Sequence, residues 1–221
     1  MTRALRTRSR REPPRPLPKQ GGGRAEKSAA RREAILAAAL DEFAAQGFAA
    51  TRLDDVARRA GVAKGTIYLH FRDKEALFQE LVRSVLSPLV GMLETIAQTD
   101  APLRSLAERI VDVFVNEIYA TRRKDVIRLI ITEGPRFPKL AEFYYREVLS
   151  RVIRAMRGLL RHAIDRGELD NEAILRFPQL LVAPGLVAII WSGLFDRFEP
   201  LDVRALMRAH LDLLFGEGGT R

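Results

Sequence analysis

Lys64, Gly65, Thr66, Tyr68 and His70 bring an ammonium, a hydroxyl, a phenol and an imidazole into one stretch of seven residues. These side chains donate hydrogen bonds, and none of them forms a nucleophile–base pair with a third group to orient it. Short donors of this kind suit a helix lying in a DNA major groove, where Lys, Thr and Tyr meet phosphates and base edges. Gly65 would let the backbone approach a phosphate closely. Elsewhere the chain shows no phosphate-cradling glycine loop, no Ser/His/Asp pattern and no paired-histidine spacing. His70, His162 and His210 are far apart, and there is no cysteine. Disulfides and thiolate metal sites are therefore excluded, no metal or cofactor is expected, and a binding protein is favoured over an enzyme.

The elements that position these donors are legible around them. In Thr51 to Phe71, TRLDDVARRAGVAKGTIYLHF, a first helix is expected to start at Thr51. Its hydroxyl would cap the turn, and Asp54 and Asp55 would face the positive end of the helix dipole. Leu53, Val56, Ala57 and Ala60 recur at helical spacing and predict one apolar face. Gly61 supplies the positive φ of a sharp stop. The second helix, from Ala63 or Lys64, would turn Val62, Ile67 and Phe71 inward and leave the donors outside.

These residues resemble the TetR family of bacterial transcriptional regulators. The likeness runs from about Arg31 to Leu77 through ILAAALDEFAAQGF, T-x-L-D-D-V-A-x-x-A-G-V, K-G-T-I-Y-x-H-F and D-K-E-A-L. It implies that Thr51, Lys64, Thr66, Tyr68, His70 and Lys74 touch DNA; Arg52 and Gly65 complete the expected set. Tyrosine and histidine would mostly hold phosphates, while the start of the second helix would meet bases. The competing reading is that Tyr68 and His70 only pack between helices.

The chain has 221 residues, 47% of them hydrophobic, and a formal net charge of +9. That length allows one headpiece and a larger helical body. The expected division is a disordered basic arm over 1–27, a helix-turn-helix domain over 28–74, and an effector-binding and dimerisation domain over 75–221. Most of the excess charge falls in the arm, where nine Arg or Lys face two Glu. Its prolines and glycines, with almost no apolar residues, are the composition of a disordered segment. It would either add salt-sensitive attraction to DNA or have no role. It carries no secretory apolar run, and a cytoplasmic location is expected.

Beyond Asp73 the pattern is helical, with breaks at Asp100 to Pro102, near Arg122 to Lys124, at Gly134 to Pro138 and at Arg166 to Asp170. The predicted fold is all-α, with about nine helices. TEGPRFPKLAEFYYREV resembles a segment in the C-terminal halves of one TetR subset, which implies an effector pocket within the body. Phe114, Ile118, Tyr119, Phe137, Phe143, Tyr144, Met156, Phe177 and Trp191 are candidate lining residues, although aromatics at this spacing fill cores by default. Such a lining would take a small, largely apolar or aromatic effector.

Phe177 to Phe195 is an uncharged run of nineteen residues. Pro178, Gln179, Pro184, Gly185 and Ser192 argue against a membrane span, and a helix buried between body and second subunit is preferred. The resemblance implies a four-helix homodimer interface from this helix and the last one, with Leu180, Leu181, Val187, Ile190, Trp191, Leu194, Leu206, Leu211 and Leu214. A two-fold dimer would require an inverted-repeat operator in double-stranded DNA. The combined expectation is a repressor released by an effector, with an activator or effector-free regulator left open. From another class, a helical protein that organises DNA or holds a protein partner without operator preference is the alternative.

Overall fold

The computed structural model describes residues 22–170 and 172–216. Among them are eleven α-helices and two π-helical turns, and no strand: α1 Gly22–Ala50, α2 Leu53–Arg59, α3 Lys64–His70, α4 Lys74–Ala97, α5 Leu103–Val113, α6 Arg123–Glu133, α7 Pro138–Tyr144, α8 Ser150–Asp165, α9 Glu172–Arg176, α10 Gln179–Leu194 and α11 Val203–Phe215. The π turn Phe114–Tyr119 extends α5, and the π turn Tyr145–Leu149 joins α7 to α8 without a break. The all-α expectation holds. Residues 22–27 belong to α1, so the helix begins inside the segment read as a disordered arm; residues 1–21 lie outside the described part.

Helix α1 buries Ile35, Leu36, Ala39, Leu40 and Phe43, a stripe at three- and four-residue spacing. It bends at Gly47, where φ is +75° and a Cβ would come within 2.9 Å of Glu133 Oε1. Conformation and space both call for glycine there. The bend folds Phe48 back against Phe43 and Phe78, with ring centroids 5.5 to 5.6 Å apart.

Helix α2 ends in a Schellman motif. Gly61, at φ +66°, donates to Arg58 O, and Val62 donates to Ala57 O at 3.0 Å. The turn aims α3 across α2, burying Ile67 beside Leu53, Val56 and Ala57.

Helix α4 starts on Asp73, whose carboxylate accepts from Ala76 N at 2.7 Å. Its first turns bury Leu77, Phe78 and Leu81 in the headpiece, and later turns bury Leu86, Leu89, Val90, Leu93 and Ile96 in the body. Pro88 lies inside the helix and is exposed. One hydrophobic core runs without interruption from Ile35 through α4 to Val126 and Ile130 of α6, Phe143 of α7 and Ile189 of α10. Lys74–Ala97 is also the one described helix long and apolar enough to cross a bilayer by length and composition. Here it is the central packing element, with ten buried residues.

Candidate nucleic-acid interface and ligand cavity

On α3, Lys64, Gly65 and Tyr68 are exposed, while Thr66 and His70 are half-buried at the edge of the same surface. Tyr68 is 48% exposed, so its ring is not a packing element between helices. The helix is one face core, one face solvent, because Ile67 and Phe71 carry the inward contacts. Arg52 is exposed beside it at the start of α2.

Two members of the expected DNA-facing set are tied back to the main chain of the headpiece. Thr51 is 2% exposed, and its hydroxyl donates to Gly47 O at 2.8 Å. It neither caps α2 nor lies on the surface; Arg52 occupies the cap position without a side-chain capping bond. The bend at Gly47 frees a carbonyl that the threonine satisfies, and a reading confined to the α2 motif does not see it. Lys74 Nζ donates to Phe48 O at 2.8 Å and Ala49 O at 2.7 Å, and lies 3.4 Å from Thr51 O and 4.9 Å from the Phe48 ring centroid. The ammonium closes the C-terminal end of α1, where the dipole favours a cation.

Acidic residues brace the headpiece. Asp54 accepts from Lys64, and Asp55 pairs with Arg58 at 2.6 Å. Glu42, 5% exposed, accepts from Arg59 at 2.6 Å, which locks α1 to α2. Asp41 pairs with Arg122 just before α6, tying the headpiece to the body.

Within the body, α4, α5, α8 and α10 border a cavity of about 170 Å³. Of the expected lining residues, Phe114, Ile118, Tyr144 and Met156 border it. The rest do not. Phe143 is buried core with Arg83 over its ring, and Phe137 packs on Phe48 at 4.8 Å. Tyr119 lies beside Lys124, Phe177 is 50% exposed, and Trp191 Nε1 donates to Glu199 O at 2.7 Å. The wall is mostly aliphatic instead: Leu86, Leu89, Val90, Leu93 and Ile96 from α4, Ile110 and Val113 from α5, Val152 from α8, and Leu181, Val182 and Ile189 from α10. In sequence these residues look like any core leucine or valine, so aromatic content was a poor guide. A smaller neighbouring hollow reaches His210, whose Nε2 lies 2.8 Å from Leu180 O.

The outer face of α10 is apolar and uncovered. Leu180, Val187, Ile190 and Leu194 are 40 to 58% exposed, as expected of an interface, and Leu186 and Phe195 extend the stripe. Leu181 turns inward to the cavity, Leu211 is 6% exposed in the core, Leu206 and Leu214 are half-buried in it, and Trp191 is half-buried with its indole spent on Glu199. Each of these five already has packing or a hydrogen bond within the chain.

This arrangement, a donor-studded second helix on a helical body with an internal cavity, has relatives. Residues 35–81 match the family described as bacterial regulatory proteins, tetR family, and residues 101–176 match the AefR-like transcriptional repressor C-terminal domain. The HTH-type transcriptional regulator SrpR of Pseudomonas putida is 30% identical over 173 residues, 78% of this chain and 79% of SrpR. The chain belongs to the TetR family. Two solved structures share the TetR fold. The SmeT–triclosan complex has a TM-score of 0.69 at 22% identity, covering 86% of this chain and 93% of SmeT, the Stenotrophomonas maltophilia repressor of a multidrug efflux pump. FadR of Bacillus subtilis in complex with stearoyl-CoA has a TM-score of 0.65 at 20% identity, covering 84% of this chain and 98% of that one.

Proposed function

We propose that this TetR-family regulator is a homodimeric repressor that binds an inverted-repeat operator and releases it when a small, largely apolar molecule enters the body cavity. The observation that carries the reading is the span of α4. The same helix packs Leu77, Phe78 and Leu81 into the headpiece and lines the cavity with Leu86, Leu89, Val90, Leu93 and Ile96. Leu81 and Leu86 are separated by about 7.5 Å of helix. A ligand that prefers one placement of α4 therefore biases the placement of α3. A coupling of about 1–3 kcal/mol changes operator affinity roughly 5- to 150-fold.

Arg52, Lys64, Gly65, Thr66, Tyr68 and His70 are the proposed DNA contacts, and α10 is the proposed dimer face, with the protein acting in the cytoplasm. Two α3 helices about 34 to 36 Å apart would enter successive major grooves. Triclosan and stearoyl-CoA, held by the two structural neighbours, support an apolar-ligand reading.

Selection from a random duplex library at about physiological salt tests the reading. Recovery of one inverted repeat, preferred by about 10³-fold or more over random DNA, is expected. Retention without sequence preference would instead indicate a DNA-organising protein.

A further inference from the structure

We propose that the cavity takes a neutral, mainly aliphatic molecule carrying one hydrogen-bond acceptor, and that the Tyr144 hydroxyl donates to that acceptor. The inference rests on the reading of the cavity as the effector site and adds the chemical class. Every lining residue is Leu, Ile, Val, Phe, Met or Gly except Tyr144. Among the described residues the phenol is thus the one side chain in the wall with an oxygen or nitrogen, and no described Asp, Glu, Lys, Arg or His borders the space. An ionised carboxylate or ammonium placed there would lose its water and gain no counter-charge, which disfavours charged ligands strongly.

The hydroxyl itself is unspent: Tyr144 makes no hydrogen bond with any described residue. Tyr144 is half-buried, and its oxygen keeps accessible surface that a guest can reach: the buried unpaired side-chain atoms among the described residues are Arg128 Nε and Glu133 Oε2. Burial pushes the Tyr144 phenol up to about 12, so it keeps its proton throughout the physiological range. A protonated phenol with no protein acceptor in reach offers its O–H to a carbonyl, ether or alcohol oxygen of a guest. The aliphatic walls from α4 and α10 then cover the rest of the molecule. An apolar cavity of roughly 150 Å³ holds benzene. The space of about 170 Å³ fits a probe of that size.

The test uses three ring probes, cyclohexane, cyclohexanone and cyclohexanecarboxylate, titrated into the full-length protein and its Tyr144→Phe variant at neutral pH and followed by NMR. Thermal melts confirm that the variant, which keeps the ring, is folded. The ketone and the hydrocarbon should bind and the carboxylate should not. Tyr144→Phe should weaken the ketone about five- to tenfold and leave the hydrocarbon equal or tighter. Carboxylate binding as tight as the ketone's overturns the neutral-ligand assignment. Equal loss of hydrocarbon and ketone in Tyr144→Phe overturns the hydroxyl's role and makes the ring a wall only. Hydrocarbon binding with an unaffected ketone overturns this inference while leaving the effector reading intact. Failure of all three probes to bind removes the effector reading and this inference together.

Discussion

Asp54 and Lys64, ten residues apart across the turn between α2 and α3, meet at 2.6 Å, with Lys64 Nζ donating to Asp54 Oδ2. The pairing raises the lysine above its usual value, chiefly through that hydrogen bond. Tyr68 Oη lies 3.4 Å from the other oxygen of the same carboxylate, so two of the donors proposed to contact DNA converge on one acid. Phosphate must compete with Asp54 for both. Asp54→Asn should raise affinity for random duplex several-fold and steepen the salt dependence by about one unit of slope. Stability should change little, because the pair is exposed. Binding isotherms across a salt series decide it; weaker binding by the variant would mean Asp54 is needed to hold Lys64 in place.

Tyr68 is half exposed, so Tyr68→Phe removes a hydroxyl without touching the core. Weaker binding to every sequence is expected, with the salt slope and the urea midpoint unchanged because the lost group is neutral. Thr66→Ala should lose discrimination at one operator position, at about 1–3 kcal/mol for the preferred base. A uniform loss across bases would make Thr66 a phosphate contact.

The donor cluster, the Gly61 turn and the apolar faces of α2 and α3 were readable because each is set by neighbours within a few residues. The intramolecular partners of Thr51 and Lys74 were not legible, because they are created by the bend at Gly47, and Lys74 reaches back 26 residues to Phe48. The cavity was half legible for a related reason. Phe114 and Tyr144 stand out by type, whereas Leu89 and Val90 become lining only when α4 faces α8 and α10. Along α10, apolarity over the length of the helix hid which face packs: Ala188 and Ile189 are within 1% of full burial, while Val187 beside them is 50% exposed.

Lys74 closes the end of α1, and Lys74→Met should therefore destabilise the protein by about 1–2 kcal/mol even without DNA. Urea unfolding measures this directly. An unchanged midpoint combined with weaker DNA binding would return Lys74 to the DNA-contact set.

Val187 sits in the middle of the uncovered α10 stripe and makes a cleaner probe of self-association than Trp191, whose indole is tied to Glu199. Val187→Glu places an unpaired charge where a second copy would pack, and should convert dimer to monomer while the helical signal persists. Sedimentation and circular dichroism report the two properties separately. A variant that remains dimeric would locate the interface elsewhere.

Glu94 on α4 and Arg151 on α8 form a two-pronged pair at 2.9 and 2.6 Å, joining two walls of the cavity. The hydrogen bond from Arg151 holds the Glu94 carboxyl below its ordinary value of 4.5. A carboxyl depressed in the folded state adds stability that is present above the unfolded value and lost as pH falls through the folded one. Glu94→Gln should therefore be less stable than the parent at neutral pH, with the gap closing progressively below about pH 4.5. Both side chains are about one-third exposed, so solvent keeps the effect modest. Denaturation midpoints of parent and variant from pH 7 down to pH 3 test the point. Curves that stay parallel throughout would assign the loss to packing against α8 and leave the charge without a role.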